Sequence, residues 1–142
     1  MIISVQFIHQ FIKFVLVGFI NTAVYFGSLN LFMVVSQIHQ GWWYSIFVAI
    51  AFVVSSINSY FWNKRWTFQK GKQFERKEFS RFITICTISF FINVGIASFL
   101  NNTLGAQLGI PVFLWANLSA LVPAVITTFI NFFGSKYLVF ER

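Results

Sequence analysis

Residues 43–68 read WYSIFVAIAFVVSSINSYFWNKRWTF and carry the clearest structural signal in the chain. Up to Asn63 this segment contains no Asp, Glu, Lys or Arg, and Lys64 and Arg65 follow. An α-helix rises about 1.5 Å per residue, so it needs about 20 apolar residues to cross the hydrocarbon core of a bilayer. Basic residues next to interfacial Trp side chains are typical of the cytoplasmic end of such a helix. We therefore interpret residues 43–62 as a transmembrane helix.

Three further segments have the same character, which predicts an all-α integral membrane protein with four transmembrane helices. The predicted spans are Phe14–Val35, Trp43–Trp62, Phe82–Leu100 and Phe113–Phe133. The sequence is 58% hydrophobic and only 9% charged, whereas a soluble domain carries about 25% charged residues. Strands of a membrane β-barrel would be about half as long and would alternate in polarity. We expect residues 1–142 to form a single transmembrane domain.

The distribution of basic residues predicts the orientation in the membrane. The 10 Lys and Arg residues lie before the first span, between the second and third spans, and after the fourth, and the other two loops have none. The positive-inside rule then predicts a multi-pass protein with both termini in the cytoplasm. The net charge of +7 thus reflects juxtamembrane charge and does not indicate a nucleic-acid partner.

The two predicted hairpins share a sequence signature. The second span continues into residues 63–68, NKRWTF, and the fourth into residues 135–140, SKYLVF, so that Lys64 aligns with Lys136. The first and third spans begin alike, with Lys13-Phe14 and Arg81-Phe82. Because each hairpin starts and ends on the same side, the copies are parallel repeats related by an axis along the membrane normal. Such an arrangement favours a site at the interface between the repeats.

Small and polar residues recur at helical spacing along each span. Packing explains such stripes, because small side chains let helices approach and amides hydrogen bond across the interface. A polar path for a lipid headgroup explains them as well, and the number of amides in the spans favours this reading. The residues that we assign to this path are Asn21, Tyr25, Asn58, Asn63, Asn93 and Asn131.

The sequence contains no recognisable catalytic constellation. The acidic residues Glu75, Glu78 and Glu141 all fall in predicted cytoplasmic segments. The pattern holds no carboxylate pair, activated nucleophile, phosphate-binding glycine loop or metal-ligand spacing. We therefore expect no enzyme, no metal and no cofactor. Proton-coupled carriers generally keep an ionisable side chain within the membrane, so the uncharged spans also argue against that class.

The order and spacing of these elements resemble the GtrA-like family of small membrane proteins. The resemblance rests on residues 13–22, KFVLVGFINT, residues 58–68, NSYFWNKRWTF, and the segments 81–82 and 131–140. The second copy departs from the pattern: Ser135 stands in place of Asn, and Tyr137 in place of a second basic residue. The departure implies that the second hairpin contacts a phosphate less fully than the first.

The resemblance implies translocation of a polyprenyl-phosphate-linked monosaccharide across the cytoplasmic membrane, for glycosylation of a cell-surface polysaccharide or teichoic acid. It also implies an alternative, a membrane anchor that holds this lipid for a partner glycosyltransferase and flips nothing. Contacts with membrane lipids, and assembly into a homo-oligomer, are compatible with either role. A phosphate is costly to move through lipid unless a cation meets it. The residues that we assign to the phosphate are Lys64, Arg65, Arg81 and Lys136.

Overall fold

The computed structural model describes residues 5–69 and 73–140, and these residues form long helices and no strands. Helix α1 spans Val5–Ser36, α2 spans Trp42–Trp62, α3 spans Arg76–Ser98 and α4 spans Val112–Gly134. The described residues thus include 4 helices that are long and apolar enough to cross a membrane. The prediction of an all-helical chain with four spans is confirmed, and the protein is a multi-pass membrane protein.

Two helices begin earlier than predicted. α1 begins at Val5 instead of Phe14, and α3 begins at Arg76 instead of Phe82. The early turns are rich in polar residues, so a criterion based on apolar length leaves them out. The 32 residues of α1 measure about 48 Å at the rise of an α-helix, which exceeds the roughly 30 Å hydrocarbon core. The first turns of α1 therefore extend beyond the hydrocarbon.

Three of the helices continue into a π-helical turn. These turns are Asn63–Thr67 after α2, Phe99–Leu104 after α3 and Ser135–Val139 after α4. π-helical turns are rare in proteins, and those that do occur often lie at functional sites. Two of these turns contain Lys64 and Lys136, which are equivalent positions in the sequence repeat.

The ends of the two hairpins meet at one end of the bundle. The Phe68 and Phe140 rings, which are equivalent in the two repeats, stack with their centroids 5.1 Å apart. At the same end, Lys13 Nζ donates to the carbonyl of Trp66 and Arg81 Nη1 donates to that of Leu138, each over 3.4 Å. These two bonds join equivalent positions, so the sequence repeat is also a structural repeat. We call this the basic end, and the opposite end the distal end.

The bundle is assembled from two closely packed hairpins. α1 packs mainly on α2 and α3 on α4, while α2 and α3 provide most of the contact between the hairpins. α1 and α4 touch much less. An apolar cluster that includes Leu29, Met33 and Val48 fills the distal half, and a second cluster around Phe82 and Phe140 fills the basic end.

Candidate functional site

A polar groove lies between the helices in the half of the bundle next to the basic end. Its accessible volume is about 70 Å³, enough for a few water molecules and well below the roughly 300–1,000 Å³ of a ligand pocket. Thr22 of α1 and Thr128 of α4 both line the groove and are exposed, so it opens to the bilayer between these two helices. The principal polar residues that line it are Asn21, Thr22, Tyr25, Ser55, Ser59, Asn93, Thr127 and Asn131.

Hydrogen bonds connect the groove residues across helices. The buried Tyr25 hydroxyl donates to Asn93 Oδ1 over 2.9 Å, which links the two hairpins. Ser89 Oγ donates to Asn131 Oδ1 over 2.8 Å, between α3 and α4. These amides therefore hold the helices together in this conformation as well as lining the groove, and their role as a path for a headgroup stays a prediction.

The structure separates two predicted path residues, Asn58 and Asn63, from the groove lining. Asn58 lies behind Asn21, to whose Oδ1 it donates over 2.7 Å. Asn63 is fully buried in the π-helical turn, where it donates to Ser59 Oγ and accepts from the Thr67 hydroxyl, both over 2.9 Å. Its amide therefore stabilises the turn that ends α2.

Polar contacts close the bundle above the groove, in the distal half. The Asn30 and Asn117 amides exchange two hydrogen bonds, over 2.8 and 3.0 Å. Ser45 Oγ lies 2.7 Å from Ser98 Oγ, and the buried Tyr44 hydroxyl donates to the carbonyl of Ala116 over 2.7 Å. The groove is thus closed towards the distal end, by residues that sequence reasoning did not assign to a site.

The first predicted phosphate contact, Lys64, is buried in an ion pair. Its Nζ lies 2.8 Å from Glu78 Oε1, and the two side chains are 5% and 6% exposed. Tyr60 also approaches Glu78, with its hydroxyl 3.4 Å from the same oxygen. The sequence predicted only that Glu78 belongs to a cytoplasmic segment; in the structure it lies in the first turn of α3, at the basic end. The repeat offered a signal for this residue. Glu78 stands three residues before Arg81, as Gln10 stands three residues before Lys13, so the two residues occupy equivalent positions in the repeats.

The other three predicted phosphate contacts have no carboxylate partner in the structure described for residues 5–69 and 73–140. Lys136 is half-buried, and its Nζ donates to Gln10 Oε1 over 2.9 Å and lies 4.5 Å from the centroid of the Phe7 ring. Arg65 and Arg81 are exposed at the basic end. The four cations therefore share one end of the bundle but differ in burial and in charge compensation.

Two larger cavities flank this end. A polar recess of about 380 Å³, which we call the α1 recess, lies between the first turns of α1 and the end of the π-helical turn. It is lined by Val5, Gln6, His9, Gln10, Lys13, Thr67, Phe68 and Gln69. On the side of α2 and α3, an apolar groove of about 660 Å³ is lined largely by aromatic rings, among them Tyr60, Phe79, Phe82 and Phe90. We call it the aromatic groove.

These features define a membrane protein built from two parallel helical hairpins that enclose a polar groove. The sequence model of the GtrA/DPMS transmembrane domain matches residues 13–140, and the chain belongs to this family. No curated protein and no solved structure matches the chain at a significant level. The family is in general one of non-catalytic translocation and adaptor modules, and its transmembrane domain fits translocation of polyprenyl-phosphate sugars in general.

Proposed function

We propose that the protein translocates a polyprenyl-phosphate-linked monosaccharide across the cytoplasmic membrane. On the outer side, the sugar is then used to glycosylate a cell-surface polysaccharide or teichoic acid. The observation that carries this proposal is the polar groove that opens to the bilayer between α1 and α4 in a member of this family. The isoprenoid tail stays in lipid, and only the phosphate and sugar need a polar route. We propose no catalytic role and no coupling to an energy source.

The orientation of the groove follows from the charge pattern. With the basic end in the cytoplasm, the groove faces the leaflet in which the lipid-linked sugar is made, and the distal contacts close the outer side. Lys64 is already paired with Glu78, so the phosphate would be met by Arg65, Arg81 or Lys136. Because the groove holds only about 70 Å³, passage of a sugar requires the helices to separate, most easily where α1 and α4 touch least.

The alternative function is a non-transporting anchor that presents the lipid to a glycosyltransferase. The narrowness of the polar groove favours it, because an anchor needs no passage for a headgroup. It predicts a stable complex with a glycosyltransferase, and loss of that enzyme's own activity when this protein is removed. It predicts no change in the transbilayer distribution of the lipid when the protein is present alone.

Reconstitution separates the two functions. Purified protein is placed in liposomes that contain a radiolabelled polyprenyl-phosphate hexose, and membrane-impermeant periodate oxidises the sugars in the outer leaflet. Translocation predicts that the protected fraction falls quickly without ATP or an ion gradient, while a fluorescent phosphatidylethanolamine in the same vesicles stays in place. No acceleration over protein-free liposomes would show that the protein is not a translocator.

A further inference from the structure

Lys64 and Lys136, in the π-helical turns after α2 and α4, make equivalent contacts with partners of different charge. Gln10 and Glu78 each stand three residues before the basic residue that opens their hairpin, Lys13 or Arg81. Lys64 of the first repeat reaches Glu78 of the second over 2.8 Å. Lys136 of the second reaches Gln10 of the first over 2.9 Å. One contact pairs a cation with a carboxylate, and the other pairs a cation with a neutral amide.

The contact between Lys64 and Glu78 disfavours an anion. Both side chains are almost fully buried, and a buried charge pair is costly to separate because each partner would be left uncompensated. A phosphate that approached Lys64 would also be repelled by Glu78. The neighbouring aromatic groove offers few polar groups. This side of the bundle is therefore suited to hold α2 against α3.

The contact between Lys136 and Gln10 leaves a positive charge available. An amide oxygen accepts a hydrogen bond but cannot neutralise an ammonium, and Lys136 is only half-buried. Gln10 also lines the α1 recess, whose walls include His9 and Lys13 and, among residues 5–69 and 73–140, no acidic residue. A phosphate oxygen can replace Gln10 as the acceptor and would gain a charge-assisted hydrogen bond.

We propose that the two repeats have unequal roles: Lys136, released from Gln10, binds a phosphate ester at the mouth of the α1 recess, whereas Lys64 and Glu78 form a fixed clasp. Lys136 follows α4, and the polar groove opens between α4 and α1, so a phosphate held here has its tail in the bilayer beside the groove. The assignment of the phosphate to a lipid rests on the proposed function. It reverses the expectation that the second hairpin contributes less to phosphate binding.

Equilibrium binding of lipid probes to the protein in nanodiscs tests whether Lys136 and Lys64 have these unequal roles. The probes are a polyprenyl phosphate, the uncharged polyprenol of the same length, and inorganic phosphate. Lys136→Gln should weaken polyprenyl phosphate binding about ten- to a hundredfold, since it removes a charge-assisted hydrogen bond. Gln10→Glu, which installs the acid of the other repeat and retains the shape, should weaken it similarly. The double variant Lys64→Gln/Glu78→Gln should stay within about threefold of the wild type.

The matched control is Lys77→Gln, which removes an exposed charge in the first turn of α3 and should leave binding unchanged. The inference is wrong if the Lys64/Glu78 double variant loses as much affinity as Lys136→Gln, or if Gln10→Glu binds like the wild type. It is also wrong if polyprenol binds as tightly as polyprenyl phosphate. Inorganic phosphate that bound equally well through Lys136 would overturn the lipid as the source of the anion.

The liposome assay keeps this inference separate from the proposed function. Lys136-dependent binding without any translocation would overturn the proposed translocation and support the phosphate site. Translocation at the wild-type rate by Lys136→Gln would overturn the phosphate site and leave translocation standing.

Discussion

Tyr25 and Asn93 occupy equivalent positions in the two repeats and are joined by a hydrogen bond of 2.9 Å from the Tyr25 hydroxyl to Asn93 Oδ1. Both side chains are buried, and the bond links the hairpins at the centre of the polar groove. Tyr25→Phe should lower the free energy of unfolding by about 0.5–1.5 kcal/mol, because it leaves the Asn93 oxygen without its donor. Reversible unfolding in mixed micelles with increasing dodecyl sulfate measures the change.

Tyr137→Phe is the control for this change, since Tyr137 is exposed at the basic end and should lose no stability. In a double-mutant cycle with Asn93→Leu, the coupling energy should be close to the roughly 0.6 kcal/mol found for interhelical hydrogen bonds in membranes. Strictly additive effects of the two substitutions would show that the bond contributes nothing to the union of the hairpins.

The buried pair of Lys64 and Glu78 should behave as a unit. Lys64→Gln or Glu78→Gln alone leaves one buried charge uncompensated and should cost about 3–5 kcal/mol. The double variant should recover most of that loss, because it leaves no charge behind. The thermal stability of each variant in detergent is measured by heating the protein and quantifying the remaining folded fraction by size-exclusion chromatography. The control is Lys77→Gln, whose side chain is exposed. Single variants as stable as Lys77→Gln would contradict the burial of this pair.

Gly134 allows close contact between α3 and α4 near the basic end. A Cβ atom at this position would lie 2.7 Å from Ile85 Cγ2, so Gly134→Ala forces the helices or the Ile85 side chain to move. We expect a loss of about 1–3 kcal/mol, reduced when Ile85→Ala removes the opposing atoms. Gly95→Ala meets nothing within 4 Å and should not destabilise the protein. If Gly134→Ala were equally harmless, the close packing of α3 and α4 described at this point would be incorrect.

The polar groove predicts a difference between two threonines. Thr127 lines the groove, whereas Thr84 is exposed on α3 outside the groove. Each hydroxyl donates to a carbonyl of its own helix, that of Pro123 or of Ser80, so the two threonines differ in position and not in this bond. Thr127→Val should slow translocation by about two- to tenfold, as expected for one lost hydrogen bond to the headgroup. Thr84→Val should leave the rate unchanged. Equal rates for the two variants in the liposome assay would argue against a headgroup path through the groove.

The orientation in the membrane is testable with single cysteines in a Cys86→Ala background. Gln37 and Gln107 are exposed in the two uncharged loops, and Gln73 is exposed before α3. Gln37→Cys or Gln107→Cys should react with a membrane-impermeant maleimide on intact cells, and Gln73→Cys only after the membrane is opened. The opposite labelling would place the basic end outside and overturn the charge argument.

The residues that line the groove could be predicted from the sequence better than the contacts that surround them could. Helical periodicity brought Asn21, Tyr25, Asn93 and Asn131 to one interior, and the structure lines the groove with them. Asn63 lies on the same face of the helix as the groove residue Ser59, to whose Oγ it donates, but it lies one turn beyond the groove and is buried in the π-helical turn. Helical periodicity predicts the face that a side chain occupies, but not how far along the bundle the groove extends.

The burial of Glu78 could not be predicted from the sequence. A span that is limited to uncharged residues leaves out helical turns that carry charges, such as the first turns of α3. The structure continues α3 back to Arg76 and buries Glu78 against Lys64. No local pattern distinguishes a solvated glutamate from a buried one when the compensating charge comes from another helix.

By itself, the sequence determined that the protein lies in a membrane, how many times it spans it, and that its two halves repeat. The first two properties follow from the length and polarity of single segments, which lipid imposes on each helix separately, and the third follows from matching segments such as 63–68 and 135–140. Only the tertiary structure decided which cation is neutralised. Lys64 and Lys136 carry the same formal charge in matching segments, but their partners lie on the other hairpin, and Gln10 is 126 residues away from Lys136. Packing brings these partners within hydrogen-bonding distance, and it makes the two repeats electrostatically unequal.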